Sequence, residues 1–298
     1  MKLIPPITIT DVEFHDSTIT EPSVDELADV NYRGEWNAGV TYTVNALVIV
    51  VADHKRYISL QNGNVGYTPG GAGNEAWWSD DGYTDRWKVF DAVVGSQATL
   101  TSAITYELDP GPIDSVALLN IEAGTTTVTM TDVGGAGDPI IWTETTKVDG
   151  MLVSDVAYTD FPLTYLTPHI VIELSIPATG DSVKIGEIIV GQKESLGNTK
   201  YIPSVGITDY SIKEVDDFGN YTVLERAYSK RLSCATNILN TQLDAVYNVL
   251  ASYRAQPVVW IGHEDYASMI VYGFYKDFSI EIAYLKYSVC TLEIEGLV

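Results

Sequence analysis

Four of the six tryptophans in this 298-residue chain fall between Tyr32 and Trp87: Trp36, the adjacent pair Trp77 and Trp78, and Trp87 itself. Gly39, Tyr42, Val48, Tyr57, Gly63 and Pro69 stand between them. A unit of roughly fifty residues has few ways to stabilise itself without bulky side chains, and aromatic rings bury large areas. The stretch therefore predicts a small aromatic-rich β module. Ala46 to Val51 is a continuous apolar run, and Tyr57 to Leu60 alternates. Gln61-Asn62-Gly63-Asn64 and Gly70-Gly71-Ala72-Gly73-Asn74 carry turn chemistry.

The aromatic set has two readings. Trp36, Tyr42, Tyr57, Trp77 and Trp78 are either the core of the module or a platform on which sugar rings stack. In the second reading Gln61 and Asn62 bond sugar hydroxyls beside it. Adjacent residues of a strand face opposite sides, so Trp77 and Trp78 cannot both be core if extended.

The rest of the chain reads as mainly β and multidomain. Residues 1–30, interrupted by Pro5, Pro6 and Pro22, read as an N-terminal arm ordered against a partner. Residues 31–86 form the aromatic module. Residues 87–200 read as a β-sandwich, jelly-roll-like, with strands at Ser115 to Ile121, Thr125 to Thr131, Pro139 to Thr143, Ile170 to Ile176 and Ser182 to Val190. Turns are expected at Gly134 to Gly137 and Thr179 to Asp181. Residues 201–298 read as an α+β assembly domain, one helix on an antiparallel sheet. In it Leu243, Val246, Tyr247 and Leu250 share a helical face, Asn240 or Thr241 caps the helix, and Pro257 stops it. Strands are expected at Thr222 to Leu239, Val258 to Ile261, Met269 to Tyr275, Phe278 to Tyr284 and Val289 to Ile294.

Charge and chemistry narrow the function. Lys and Arg number 17 against 40 Asp and Glu, a net charge of -23, which opposes a cationic nucleic-acid footprint. No apolar run approaches the ~20 residues of a membrane span, so no membrane insertion is expected. The amino terminus lacks a signal-peptide apolar region, which predicts synthesis in a reducing cytoplasm. Cys234 and Cys290 sit in apolar β-like runs and read as buried free thiols. His15, His54, His169 and His263 show no His-x-x-x-His spacing, so no metal site is expected. The acidic turn Asp80–Asp85 does not follow a calcium-loop spacing. Asp80-Asp81, Asp216-Asp217 and Glu293/Glu295 offer paired carboxylates, but no spacing argues for a glycosidase pair. No catalytic residue and no cofactor are expected, and the chain reads as no enzyme.

Two resemblances follow. Trp36-x-x-Gly39-x-x-Tyr42, Val48, Tyr57, Gly63-x-x-Gly66-x-x-Pro69 and Trp77 resemble the small chitin-binding-like modules of carbohydrate-binding families 5 and 12. Where those modules carry an exposed aromatic pair, Tyr57-Ile-Ser-Leu60-Gln61-Asn62 stands here. Thr84 to Asp91, Ile185 to Gly191, Gly206 to Ser211 and Gln256 to Glu295 are similar to segments of tailed-bacteriophage tail proteins. The resemblance implies a structural protein of the virion tail tip or baseplate. Its implied partners are other copies of itself, other tail proteins and a host cell-surface glycan. The alternative expectation is a secreted polysaccharide-active hydrolase with an appended binding module.

Overall fold

A computed structural model describes residues 1–132, 138–148, 151–176, 178, 181–200, 203–215 and 218–298. The segment before Tyr32 contributes β1 (Lys2–Ile4), β2 (Phe14–Ser17) and α1 (Val24–Ala28). The aromatic module holds β3 (Tyr32–Glu35), β4 (Leu47–Val50), β5 (Lys55–Ser59) and β6 (Trp78–Tyr83). The middle of the chain begins with β7 (Ala98–Leu100), β8 (Ile104–Leu108), β9 (Ser115–Leu119), β10 (Thr125–Asp132) and β11 (Ile140–Thr145). It continues through β12 (Lys147–Val148), β13 (Met151–Leu152), β14 (Val156–Tyr158), β15 (Pro168–Leu174), β16 (Val183–Ile185) and β17 (Glu187–Gly191). The last third opens with β18 (Glu194–Ser195), β19 (Asn198–Thr199), β20 (Ser204–Asp209), β21 (Ile212–Val215), β22 (Tyr221–Leu224) and β23 (Tyr228–Leu239). It closes with α2 (Leu243–Ser252), β24 (Val258–Ile261), β25 (Ile270–Glu281) and β26 (Tyr287–Gly296).

The molecule is mainly β, and its sheets stack. A five-stranded sheet, ordered β11-β10-β15-β8-β2, faces a three-stranded one, ordered β14-β9-β17. On β8, Ile104, Tyr106 and Leu108 point into the space between them, and Thr105 and Glu107 alternate outward, as the two-residue period of a strand requires. β9 is buried at every position. Val116 and Leu118 join the sandwich core, with Ile188 and Val190 of β17 beside them. Ala117, Leu119 and Ile189 point the other way and meet Ile4, Val259, Ile261, Ile270 and Tyr272. Those residues belong to an eight-stranded sheet built around β1, β24, β25, β26 and β23. Its far face carries Leu3, Trp260, Val271, Leu292 and the helix residues Val246 and Leu250. Cys234 and Cys290 lie in that core as free thiols, and burial pushes them up to about 11 and about 12.

Several expectations change. Residues 1–30 are no arm. β1 is an inner strand, paired with β24 on one side and β18 on the other. Leu3 and Ile4 are fully buried on opposite faces, so the segment finds its apolar partners within its own chain. Gly191 admits the segment over the end of β17, because a Cβ there would lie 2.2 Å from the carbonyl oxygen of Pro5. Residues 194–195 and 198–199 pair into the eight-stranded sheet, so that sheet begins before residue 201. The two strands expected at Met269 to Tyr275 and Phe278 to Tyr284 merge into one, β25 (Ile270–Glu281), whose register shifts between Tyr275 and Asp277 without breaking it. The helix starts later than its expected caps. Asn240–Gln242 forms a 3-10 turn, and no side chain caps α2. Tyr247, on the expected buried face, is exposed. The expected turn at 134–137, residues 179–180 of the second expected turn, and the carboxylate pair at 216–217 lie outside the described residues.

One buried carboxyl sits between two of the layers. Glu187 is 1% exposed and faces the eight-stranded sheet with Ile189. Burial, and then the neighbouring Asp91 carboxylate, push it up to about 9. Glu187 Oε1 is buried without a hydrogen-bond partner, while Asp91 accepts from the Val93 amide at 2.7 Å and from Ser96 Oγ at 2.8 Å.

Two outcomes test this packing. Leu250→Ala should cost about 2–5 kcal/mol in chemical denaturation, as core truncations do; a negligible change would reject the assigned helical face. Glu187 prefers its proton when folded, so its contribution is complete below its unfolded value of 4.5 and is lost as pH rises to about 9. Glu187→Gln should therefore flatten the stability profile between those pH values, whereas a profile parallel to wild type would show that Glu187 ionises freely in the folded state.

Candidate functional site on the aromatic module

The module is a four-stranded sheet ordered β3-β4-β5-β6, with β3 parallel to β4 and the other pairs antiparallel. Its core is Tyr42, Ala46, Val48, Tyr57 and Trp78. The ring of Trp78 meets that of Tyr42 edge-on at 5.3 Å, and its indole N–H donates to the carbonyl of Tyr67 at 2.7 Å. The hydroxyl of Tyr42 accepts from the amide of Asn37 at 2.8 Å. Buried Asn64 ties the loop together, donating to Ser59 Oγ at 3.0 Å and to the carbonyl of Trp77 at 3.2 Å.

These contacts separate the two sequence readings residue by residue. Tyr42, Tyr57 and Trp78 are core and present no ring face to a ligand. Trp36 and Trp77 are half-buried and pack on the rim of that core. The Trp36 indole N–H is buried without a hydrogen-bond partner. Gln61 and Asn62 are exposed but engaged in the loop: Gln61 Nε2 donates to the Ala76 carbonyl at 2.8 Å, and Asn62 Oδ1 accepts from the Val44 amide at 3.0 Å.

The structure adds a residue. Tyr67 stacks on Trp77 with ring centroids 4.0 Å apart and planes 11° from parallel. The pair joins a loop residue to the residue just before β6. Alternation explains the split of the adjacent tryptophans, since Trp78 opens β6 inward and Trp77 turns to the rim. The sequence signal for Tyr67 was its place in the glycine-rich run Gly63-x-x-Gly66-Tyr67, where both glycines adopt positive φ. The Trp77–Tyr67 pair is a half-buried aromatic stack at the rim of the module.

The acidic turn of the module is committed elsewhere. Asp80 pairs with Lys55, Asp81 with Arg56, and Asp85 with Lys88. Asp85 also reaches the first helix. Its amide donates to Glu26 Oε1 at 3.0 Å, and its carboxylate accepts from the hydroxyl of Ser23. Ser23 and Glu26 form a capping box on α1, and burial raises the Glu26 carboxyl above its usual range. His54 stacks on Trp87 at 3.9 Å and contacts Glu21 and Asp11 at 3.1 and 3.0 Å. Because Trp87 belongs to the sandwich core, this stack fastens the module to the layers beneath.

No model of a known protein family matches the chain, and no curated protein matches it.

Two substitutions separate core from rim. Trp78→Ala should cost about 3–5 kcal/mol by chemical denaturation. Trp77→Ala should leave the module folded, with a clearly smaller loss. Equal losses would mean that the Trp77–Tyr67 pair is core and offers no binding face.

Proposed function

We propose that this chain is a structural subunit of the tail tip or baseplate of a tailed bacteriophage, located in the virion. In this reading it assembles with copies of itself and with other tail proteins, and its aromatic module faces outward toward a host-surface glycan. The observation that carries the reading is a hairpin that runs out from the eight-stranded sheet. β20 and β23 pair from Ser204 to Asp209, and β21 and β22 extend the same ribbon to Val215 and Tyr221. Val205, Ile207, Val215, Tyr221, Val223 and Leu224 are all exposed on it. β20 joins the eight-stranded sheet through β23, but β21 and β22 run on as a sheet of two strands, which is marginal in water, and exposed apolar patches of this kind mark association surfaces. The tip between β25 and β26 repeats the pattern, with Ile282, Tyr284 and Leu285 exposed.

Assembly supplies the missing cover. A neighbouring subunit buries these side chains and the outer edge of β20, and a closed ring leaves no copy with an open edge. The module stands at the other side of the chain order, held by the His54–Trp87 stack, so its Trp77–Tyr67 face is compatible with outward display. Many copies on one particle turn weak single contacts into useful attachment, by roughly 10²–10⁴ in avidity.

Light scattering and electron microscopy of the purified full chain test the proposal. A closed oligomer is expected, and Val223→Asp with Leu285→Asp should shift it toward folded monomer. A strict monomer at every attainable concentration would overturn the assembly reading. Cell-binding and glycan-array assays on the assembled protein address the module separately: Trp77→Ala and Tyr67→Ala should reduce retention, and unchanged binding by folded variants would leave the module a spacer.

A further inference from the structure

We propose that His15, Asp109 and His169, with Glu107 beside them, form a binding site for one zinc ion on the outer face of the five-stranded sheet. These residues come from three neighbouring strands. In the sheet order β15 and β2 flank β8. Leu108 pairs with Ile170 on one side and Phe14 on the other, so His169 lies opposite Asp109, while His15 falls in the step from Leu108 toward Glu107. Alternation turns Ile104, Tyr106 and Leu108 into the core and leaves Glu107 and Asp109 on the outer face.

A β-bulge completes the arrangement. Between Phe14 and Asp16 the register of β2 against β8 shifts, and His15 is the extra residue. Bulges re-aim a side chain, and they concentrate beside functional sites. Here the imidazole of His15 meets that of His169 edge-on, with centroids 5.1 Å apart.

The donor atoms already converge. His169 Nδ1 lies 2.8 Å from one Asp109 oxygen, and His15 Nδ1 lies 3.4 Å from the other. The donor atoms of these three residues all fall within 4.8 Å of one another. Glu107 Oε2 stands 3.7 Å from His169 Nε2 and 3.8 Å from His15 Nε2, on the ring nitrogens away from Asp109, where it orients the imidazoles rather than sharing the ion. A tetrahedral zinc with bonds of about 2.0–2.2 Å needs donor atoms separated by about 3.3–3.5 Å, and the two Nδ1–Asp109 distances, 2.8 and 3.4 Å, lie close to that. Two imidazoles with carboxylate oxygen suit zinc, whereas an all-oxygen site would suit calcium or magnesium. The four side chains are between 20% and 55% exposed, so an ion reaches them from solvent and a water completes the coordination.

The site would act as a staple. His15 lies in the segment before the module, and the other ligands lie in the sandwich. An ion bound only by the folded chain stabilises it by mass action, and here it would hold β2 against β8. Without an ion the same groups still meet through contacts such as the 2.8 Å hydrogen bond between His169 Nδ1 and Asp109, and that alternative predicts no metal dependence.

The test uses the full chain without a polyhistidine tag, stripped with chelator and titrated with zinc chloride. One equivalent of zinc should bind, and the melting temperature should rise with zinc but not with magnesium. Cobalt substituted for zinc should give the intense visible absorption of a tetrahedral centre. His15→Ala and His169→Ala should each weaken zinc binding by more than about a hundredfold, exceeding the loss typical when a residue merely supports a ligand. Melting the stripped variants without metal shows whether each still folds, and Asp109→Asn supplies a near-isosteric third variant. Absence of stoichiometric zinc binding, or zinc binding equally strong in folded His15→Ala and His169→Ala, would overturn the site and leave ion pairing only.

Discussion

The three-stranded sheet of β14, β9 and β17 has no solvent face, and the other layers are arranged around that fact. Every side chain of β9 is buried, odd positions against one sheet and even positions against another. A sheet buried on both sides needs two apolar partners, which is why the sandwich and the eight-stranded sheet pack as consecutive layers. Burying both faces roughly doubles the apolar area withdrawn per residue, at about 25 cal/mol per Å². The exception is Glu187, held neutral over much of the pH range by its burial and by Asp91.

The segment before Tyr32 binds these layers in sequence. β1 enters the eight-stranded sheet, Ile7 and Ile9 reach the sandwich core, β2 joins the five-stranded sheet, and α1 docks on the module through Ser23, Glu26 and Asp85. Each contact is modest, but their order along one short segment couples the units. The module, with its small core, depends on that coupling and on the His54–Trp87 stack. Its polar attachment is buried and well satisfied, which fixes one geometry more than it adds stability.

The aromatic site was partly legible. The sequence marked Trp36, Tyr42, Tyr57, Trp77 and Trp78 as a set, and alternation required the adjacent tryptophans to part. It did not say which one faced inward, because that depends on where β6 begins. It also missed Tyr67, whose stacking on Trp77 arises from a loop that folds back through positive-φ glycines. Gln61 and Asn62 looked like hydroxyl partners but hold the loop to Ala76 and Val44. Side-chain type was correct there, and the partner was decided by chain path.

By itself the sequence determined the mainly β character, the aromatic module, the runs that became β9, β10, β15, β24 and β26, and the helix that packs through Val246 and Leu250. These follow from local periodicity, which is set by neighbours two to four residues apart. Tertiary structure alone decided that the prolines of the first segment interrupt an integral part of two sheets, because β1 is too short to show a period and gains its stability from strands far along the chain. It also decided that His15 and His169 meet over Asp109. Strand order and a single bulge bring them together, and neither is written in the spacing of histidines.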